Sequence, residues 1–392
     1  MPWKTVSVME QKIHFIQAYL TKRFSKSELC KQFDISRPTG DKWIQRYHLN
    51  GLAGLSALSR KPHHNPNVVS AYVCERLVQE KLKRQYWGAK KLLDYLRQLE
   101  PDIKWCADST GDRILAKAGL VEARRKHLKT PADSLPFGEC HSPNHCWSMD
   151  FKGDFMVGNK RCYPFTLHDN YSRYLFACQG LTQHGYTEVQ PLLARIFKEY
   201  GLPWAIRSDN GAPFASVALG GLTKLSKWLI DLGIRPERIE AGKPQQNGRL
   251  ERMHRELKRY IAKVDTLKVE MHEFQQKLDI FREEFNQLRS HESLERQMPV
   301  SCYTPSIRIY PTRIEEYEYH QEAILRSVRH NGEIKWRGKL LYISEVLAGE
   351  KIAFLPKGDG LWEMFYRFHF LGERDDITQR IIRPTSWHKP EV

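Results

Sequence analysis

Trp147-Ser-Met-Asp150-Phe151, Arg207-Ser-Asp209-Asn-Gly211 and Gln246-Asn-Gly-Arg-Leu-Glu251-Arg252 are three short runs of a 392-residue chain, each with one carboxylate to explain. The flanking residues put Asp150 in the body of a strand, Asp209 at the end of a strand and Glu251 in the first turns of a helix. Each has a plain structural reading. An Asp before Asn-Gly forms turns, and a Glu between arginines makes a solvated ion pair. A mid-strand Asp among apolar residues is costlier, because burying it needs a partner or a metal. Carboxylates from separate elements can converge, and converged carboxylates hold magnesium, which takes oxygen ligands.

The chain around them is organised to bring them together. Trp147–Met156 and Arg161–His168 read as a hairpin about the Gly158-Asn159 turn, and Leu175–Leu181 reads as a third strand. Val189, Leu192, Leu193, Ile196 and Phe197 make one face of a helix over Thr187–Tyr200. Trp204–Arg207 is a short buried strand that ends at Asp209, Leu222–Leu232 is helical, and a long helix from Gln245 carries Glu251. Three antiparallel strands, a helix, then a strand with a carboxylate at its C-terminal end is the ribonuclease-H-like order, in which ligands sit at strand carboxyl ends. Met271, Phe274, Leu278, Phe281, Phe285 and Leu288 predict an amphipathic helix packed on that core.

Outside the centre, Met9, Ile13, Ile16 and Leu20 predict a helix, Ser25 or Ser27 caps a second, and Ser36 caps a third with Pro38 in its first turn. That is helix-turn-helix geometry, and Arg37, Thr39, Lys42, Gln45 and Arg46 are its candidate DNA-reading residues. Arg60 and Lys61 in the Gly- and Pro-containing linker are candidate phosphate contacts. A second helix-turn-helix-like unit follows over 67–131. From Val328 the pattern changes to short strands with glycine turns, which predicts a small β-barrel.

The net charge is +16, and 13 of it lies before residue 132, a distribution that suits a polyanionic partner. No apolar run is long enough to span a membrane. The N-terminus lacks a signal-peptide pattern, and the eight cysteines lack a framework, which predicts a cytoplasmic, nucleoid-associated protein. Cys140, His141, His145 and Cys146 have metal-ligand chemistry at a spacing that matches no usual zinc site.

The sequence resembles the DDE transposases of bacterial insertion sequences, within the retroviral-integrase superfamily. The residues that carry this are the three runs above, Asp169-Asn-Tyr-Ser-Arg173-Tyr, the extensions Gly211-Ala-Pro-Phe214 and Lys243-Pro-Gln-Gln, Asn286-x-x-Arg289-Ser-His291-Glu-Ser-Leu294, and Tyr303-x-Pro305-Ser306. The resemblance implies a multidomain α/β protein: N-terminal all-α helix-turn-helix units (1–66 and 67–131), a central ribonuclease-H-like catalytic domain (132–306) and a C-terminal β domain (324–392). It implies 3′-end cleavage and strand transfer with magnesium, or manganese in its place, on terminal inverted repeats and target DNA by a homodimer or higher assembly. It maps the catalytic and metal-binding triad onto Asp150, Asp209 and Glu251, with Asp150 bridging two ions. Lys243, Arg249, Arg252 and Arg255 are its candidate phosphate contacts. Forty-one residues separate Asp209 from Glu251, longer than is usual, and Ala218-Leu-Gly-Gly221 is where extra length would sit. A catalytically silent DNA-binding regulator derived from a transposase is the competing expectation.

Overall fold

The computed structural model describes residues 7–58, 68–121, 140–216, 219–239 and 244–383. The chain divides into two compact units, Met1–Val68 and Val69–Val392.

In the first unit, helices α1 (Val8–Leu20), α2 (Lys26–Gln32) and α3 (Arg37–Asn50) begin at the side-chain caps Ser7, Ser25 and Ser36. Glu10 and Glu28 return the bond to the cap backbone of α1 and α2, so two otherwise unmade helix donors are satisfied at each start. Phe15, Ile16, Leu29, Cys30, Ile44 and Leu55 form the core. Gly40 sits inside α3 because a Cβ there would stand 2.6 Å from Cys30 Sγ, so its absence lets α3 close on α2.

The second unit opens with α4 (Ala71–Lys83), α5 (Ala89–Leu99) and α6 (Asp108–Lys117), packed around Leu77, Trp87, Leu92, Leu93, Leu96 and Leu115. Its central sheet holds β1 (Cys146–Phe151), β2 (Phe155–Val157), β3 (Lys160–Asp169), β4 (Leu175–Leu181), β5 (Ala205–Ser208) and β6 (Arg235–Arg238). β4, β3 and β1 pair antiparallel, β1, β5 and β6 pair parallel, and β2 forms a hairpin with the start of β3. Helices α7 (Tyr186–Tyr200) and α8 (Lys224–Asp231) share one core with Trp147 and Met149 of β1. Alternation along the strand sends Ser148 and Asp150 to the opposite face. There α9 (Gly248–Ile261) and α10 (Met271–Glu283) pack Leu250, Met253, Leu257, Phe274, Leu278 and Phe281 against Leu175 and Cys178.

The helices α4–α6 are tied to this second layer by charge. Glu256 of α9 accepts from Lys91 at 2.9 Å and pairs with the buried Arg289. Burial, with Arg289 adding, pushes the Lys91 ammonium down to about 8. Arg84 meets Glu284 at 3.3 Å, and Asp94 takes Ser290 at 2.6 Å and Arg296 at 3.0 Å. Buried ions held this closely cost most when one partner is removed.

The C-terminal part is an open structure and corrects the expectation of a barrel. β7 (Ile324–Ser327), β8 (Glu333–Trp336), β9 (Lys339–Tyr342), β10 (Lys351–Gly358), β11 (Leu361–Tyr366), β12 (His369–Asp375) and β13 (Arg380–Ile382) form two sheets. Five strands run in the order β13-β12-β11-β10-β7, and β8-β9 is a separate hairpin. Among the described residues no ladder joins the two edges; the hairpin instead lays Trp336 on Phe354, ring centroids 4.0 Å apart. Side-chain packing across the gap does the work that closure would have done.

Leu219, Leu222 and Ile230 belong to that C-terminal core, not to the core of the central sheet. Gly220 has φ +64° and gives its carbonyl to His369 Nε2 at 3.1 Å. Arg238 donates to Gly221 O at 2.7 Å. The Leu219–Leu222 stretch between Asp209 and Glu251 is thus a clip that fastens the C-terminal sheet.

A Cβ at Gly220 would lie 2.6 Å from Leu371 Cδ2 in a conformation that favours glycine. Gly220→Ala should therefore weaken the C-terminal part by about 1–3 kcal/mol. Limited proteolysis should release a fragment from beyond residue 320 sooner than in wild type; an unchanged digestion pattern would refute the clip.

Candidate active site

Asp150 lies on the α9 side of the sheet, half-buried, with Thr166 directly opposite it on β3. Burial pushes its carboxyl up to about 7, with the charges of Asp209 and then Glu251 adding to the shift, against the Phe151 amide and Lys152. Residues from β1, the end of β5 and the first turn of α9 are therefore within electrostatic reach of one another. Asp209 is raised by burial too, against a bond from the Gly211 amide at 3.2 Å. Glu251 is exposed.

Behind Asp150 stands a linked pair of polar residues, Thr166 and His254. The Thr166 hydroxyl donates to the Asp150 carbonyl at 3.1 Å, because a carbonyl can only accept. Its oxygen then accepts from His254 Nε2 at 2.7 Å, which puts the ring proton on Nε2. His254 Nδ1 faces Asp150 Oδ2 at 3.7 Å. Burial, with Lys152 adding, holds the imidazole down to about 3, so this is a neutral ring beside a carboxyl and not an ion pair. A lone pair on Nδ1 suits a carboxyl that keeps its proton.

The donor chemistry of Asp150, Asp209 and Glu251 fits a hard divalent ion, since three carboxyls that repel one another are what such an ion neutralises. Among the described residues no three acidic, histidine or cysteine side chains are gathered closely enough to hold a metal as they stand.

The other candidate residues distribute differently. On α3, Arg37, Lys42 and Gln45 are exposed, and Thr39 and Arg46 are half-buried. Arg46 lies 5.1 Å from the Trp43 ring, and Thr39 Oγ1 bonds Ser36 Oγ at 2.8 Å within the cap. On α9, Arg252 and Arg255 are exposed, whereas Arg249 turns inward and donates to Asn170 O at 2.8 Å. Arg60, Lys61 and Lys243 lie outside the described residues. Sequence reasoning missed Thr166, Lys152 and Lys258. Lys258 is exposed two turns beyond Glu251, so helical spacing alone could have placed it on that face. His254, three residues beyond Glu251, is placed near the same side of α9 by that spacing too.

Comparison with known proteins agrees with this architecture. Residues 141–244 match the integrase core domain family, residues 232–299 match a second integrase core domain family, and residues 11–63 match a helix-turn-helix domain family. The chain is 29% identical over 207 residues to a 31.7 kDa protein of insertion element IS407 from Burkholderia multivorans, covering 51% of this chain and 69% of that one. It is 26% identical over 251 residues to a 39.2 kDa protein of insertion element IS476 from Xanthomonas euvesicatoria, covering 63% and 69%. Among solved structures, the HTLV-2 integrase catalytic core domain in complex with magnesium aligns at 15% identity and a TM-score of 0.34, over 42% of this chain and all of that one.

A carboxyl that binds its proton more tightly folded than unfolded supports the fold below the ordinary value of 3.8, and that support is lost as pH rises through about 7. Without metal, Asp150→Asn should therefore gain over wild type as pH rises, most at pH 8, less at pH 5 and nothing below the ordinary value of 3.8. A difference independent of pH would contradict the raised carboxyl.

Proposed function

We propose that this chain, with a helix-turn-helix domain match ahead of an integrase-core match, is a DDE transposase of the bacterial insertion-sequence kind that cuts the 3′ ends of its element and joins them to target DNA. The observation that carries the reading is the placement of three carboxylates from three different elements, Asp150 in β1, Asp209 just past β5 and Glu251 in the first turn of α9, near enough that the charges of Asp209 and Glu251 act on Asp150. A structural ion pair would have lowered such a carboxyl; here burial raises it first, and the neighbouring acids add to the rise.

When bound, magnesium or manganese would neutralise charge on the phosphodiester and activate an oxygen nucleophile, water for the first cut and the freed 3′-hydroxyl for joining. Asp150, Asp209 and Glu251 would hold it. To hold the ion Asp150 would have to be deprotonated, and Thr166 with His254 keeps its backbone and carboxyl in place. The Gly211 amide orients Asp209. Arg255 and Lys258 extend the exposed face of Glu251 with positive charge, which suits the DNA backbone. The α3 face with Arg37, Lys42, Gln45 and Arg46 reads the element end, and pairing two ends calls for at least two copies of the chain.

The test is joining of a labelled, pre-nicked element end to a supercoiled plasmid with magnesium. Asp150→Asn, Asp209→Asn and Glu251→Gln should each lower product by at least about a hundredfold while binding of the end persists. Normal joining by any of the three would remove that residue from the site. Binding without joining by wild type would support a silent regulator. Binding by residues 1–68 should weaken steeply with salt, and Lys42→Gln should lower the slope of log K against log salt by about one; a flat salt dependence would refute the basic α3 face.

A further inference from the structure

Arg249 does not share the face of Glu251. Two residues apart on a helix means about 200° around its axis, and its guanidinium reaches Asn170 O at 2.8 Å. Arg173 donates to the same carbonyl, with a backbone φ of +65°. Among the described residues neither guanidinium has a carboxylate partner within ion-pair distance. Asp169, the acid nearest Arg173 in sequence, is already spent on the amide of Asn144 at 3.0 Å and the amide and hydroxyl of Ser172, each at 2.7 Å. The two arginines line a cleft of about 450 Å³ with Tyr171, Gln297 and Glu295. Glu295 is the one acid of that lining and is exposed.

Two guanidiniums packed onto one carbonyl are short of negative charge. Burial, with Arg249 adding, pushes Arg173 down to about 10, the direction expected of a cation whose charge is poorly compensated. The cleft also adjoins the catalytic elements at two points. Asn170 donates to Ser148 Oγ at 2.9 Å, and Ser148 precedes Asp150 by two residues on β1, roughly 7 Å along the strand. Arg249 precedes Glu251 by two on α9. At Gly248, the first residue of α9, a side chain would meet nothing within 4 Å, so the way past the helix start is open.

We propose that the Arg173–Arg249 cleft is a second phosphate subsite, which grips a phosphodiester of the bound DNA strand one or two nucleotides from the one that reacts. The inference rests on DNA being the substrate. The two forked guanidiniums supply the planar donors that phosphate oxygens take in pairs. Asn170 O, which now holds them, becomes the pivot from which they turn to the phosphate. The subsite holds the strand in register and takes no part in the chemistry.

The test is binding of a labelled duplex in EDTA, measured by anisotropy over a range of salt. The Arg173→Gln/Arg249→Gln protein should bind about fivefold more weakly, with a salt slope lower by about one to two. Glu295→Gln removes the acid and should bind about twofold more tightly, a gain that misfolding cannot mimic. Arg195→Gln/Lys198→Gln removes equal charge from the exposed face of α7, on the other side of the sheet, and should leave affinity and slope unchanged. Wild-type affinity and slope in the first double variant, or no gain in Glu295→Gln, overturns the subsite and leaves the DNA reading intact. Failure of the wild type to bind duplex at all overturns both.

Discussion

Three carboxyls that repel one another must be held within reach, and the packing of the second unit supplies that restraint. Asp150 is half-buried and feels Asp209 and Glu251. In free solution such groups would move apart or pick up counter-ions. Here each is fixed by a different source of rigidity. Asp150 is inside a strand paired on both edges, Asp209 follows a strand buried between two neighbours, and Glu251 is in the first turn of a helix whose apolar side is sealed onto the sheet. The repulsion is thus a stored preference for a cation, maintained by apolar burial elsewhere.

Helix α9 is the element with the most to hold in place, and it is braced from two directions. Leu250, Met253 and Leu257 anchor it to the sheet and α10, while Glu256 is gripped by Lys91 from the helical part and by Arg289. The helices over 71–117 therefore act on the central sheet as a brace, whatever else they bind. On the far edge, the clip at Leu219–Leu222 fastens the C-terminal sheet to the same chain segment that links the second and third carboxylates. A shift of either flanking part would be felt between Asp209 and Glu251.

Much of this was legible because it is local. Ser36 caps the helix that its residue type calls for, the 3.6-residue apolar periods give α7 and α10, and strand alternation puts Asp150 opposite in facing to Trp147 and Met149. What was not legible depends on long-range registry. Counting outward from the Gly158-Asn159 turn would set Asp150 across from Leu167. The irregular Lys152–Asp154 stretch shifts the pairing by one residue and presents Thr166 instead. A one-residue slip exchanges the two faces of a strand, so Thr166 could not have been assigned without the structure. The open C-terminal sheet was read as a barrel because strand patterns report which residues alternate, and not whether the first and last strands meet. The inward turn of Arg249 was in principle readable from its helical angle to Glu251, but its acceptor, Asn170 O, is 79 residues away.

The most direct measurement is calorimetric titration of manganese into the metal-free protein at pH 7, repeated in two buffers of different ionisation enthalpy. If the carboxyls are held as described, the wild type binds the ion and releases a fraction of a proton per site, because Asp150 is near half-protonated there. Asp150→Asn should lose both the affinity and the release. Saturable binding without proton release, or binding that survives Asp150→Asn unchanged, would contradict the account at its centre.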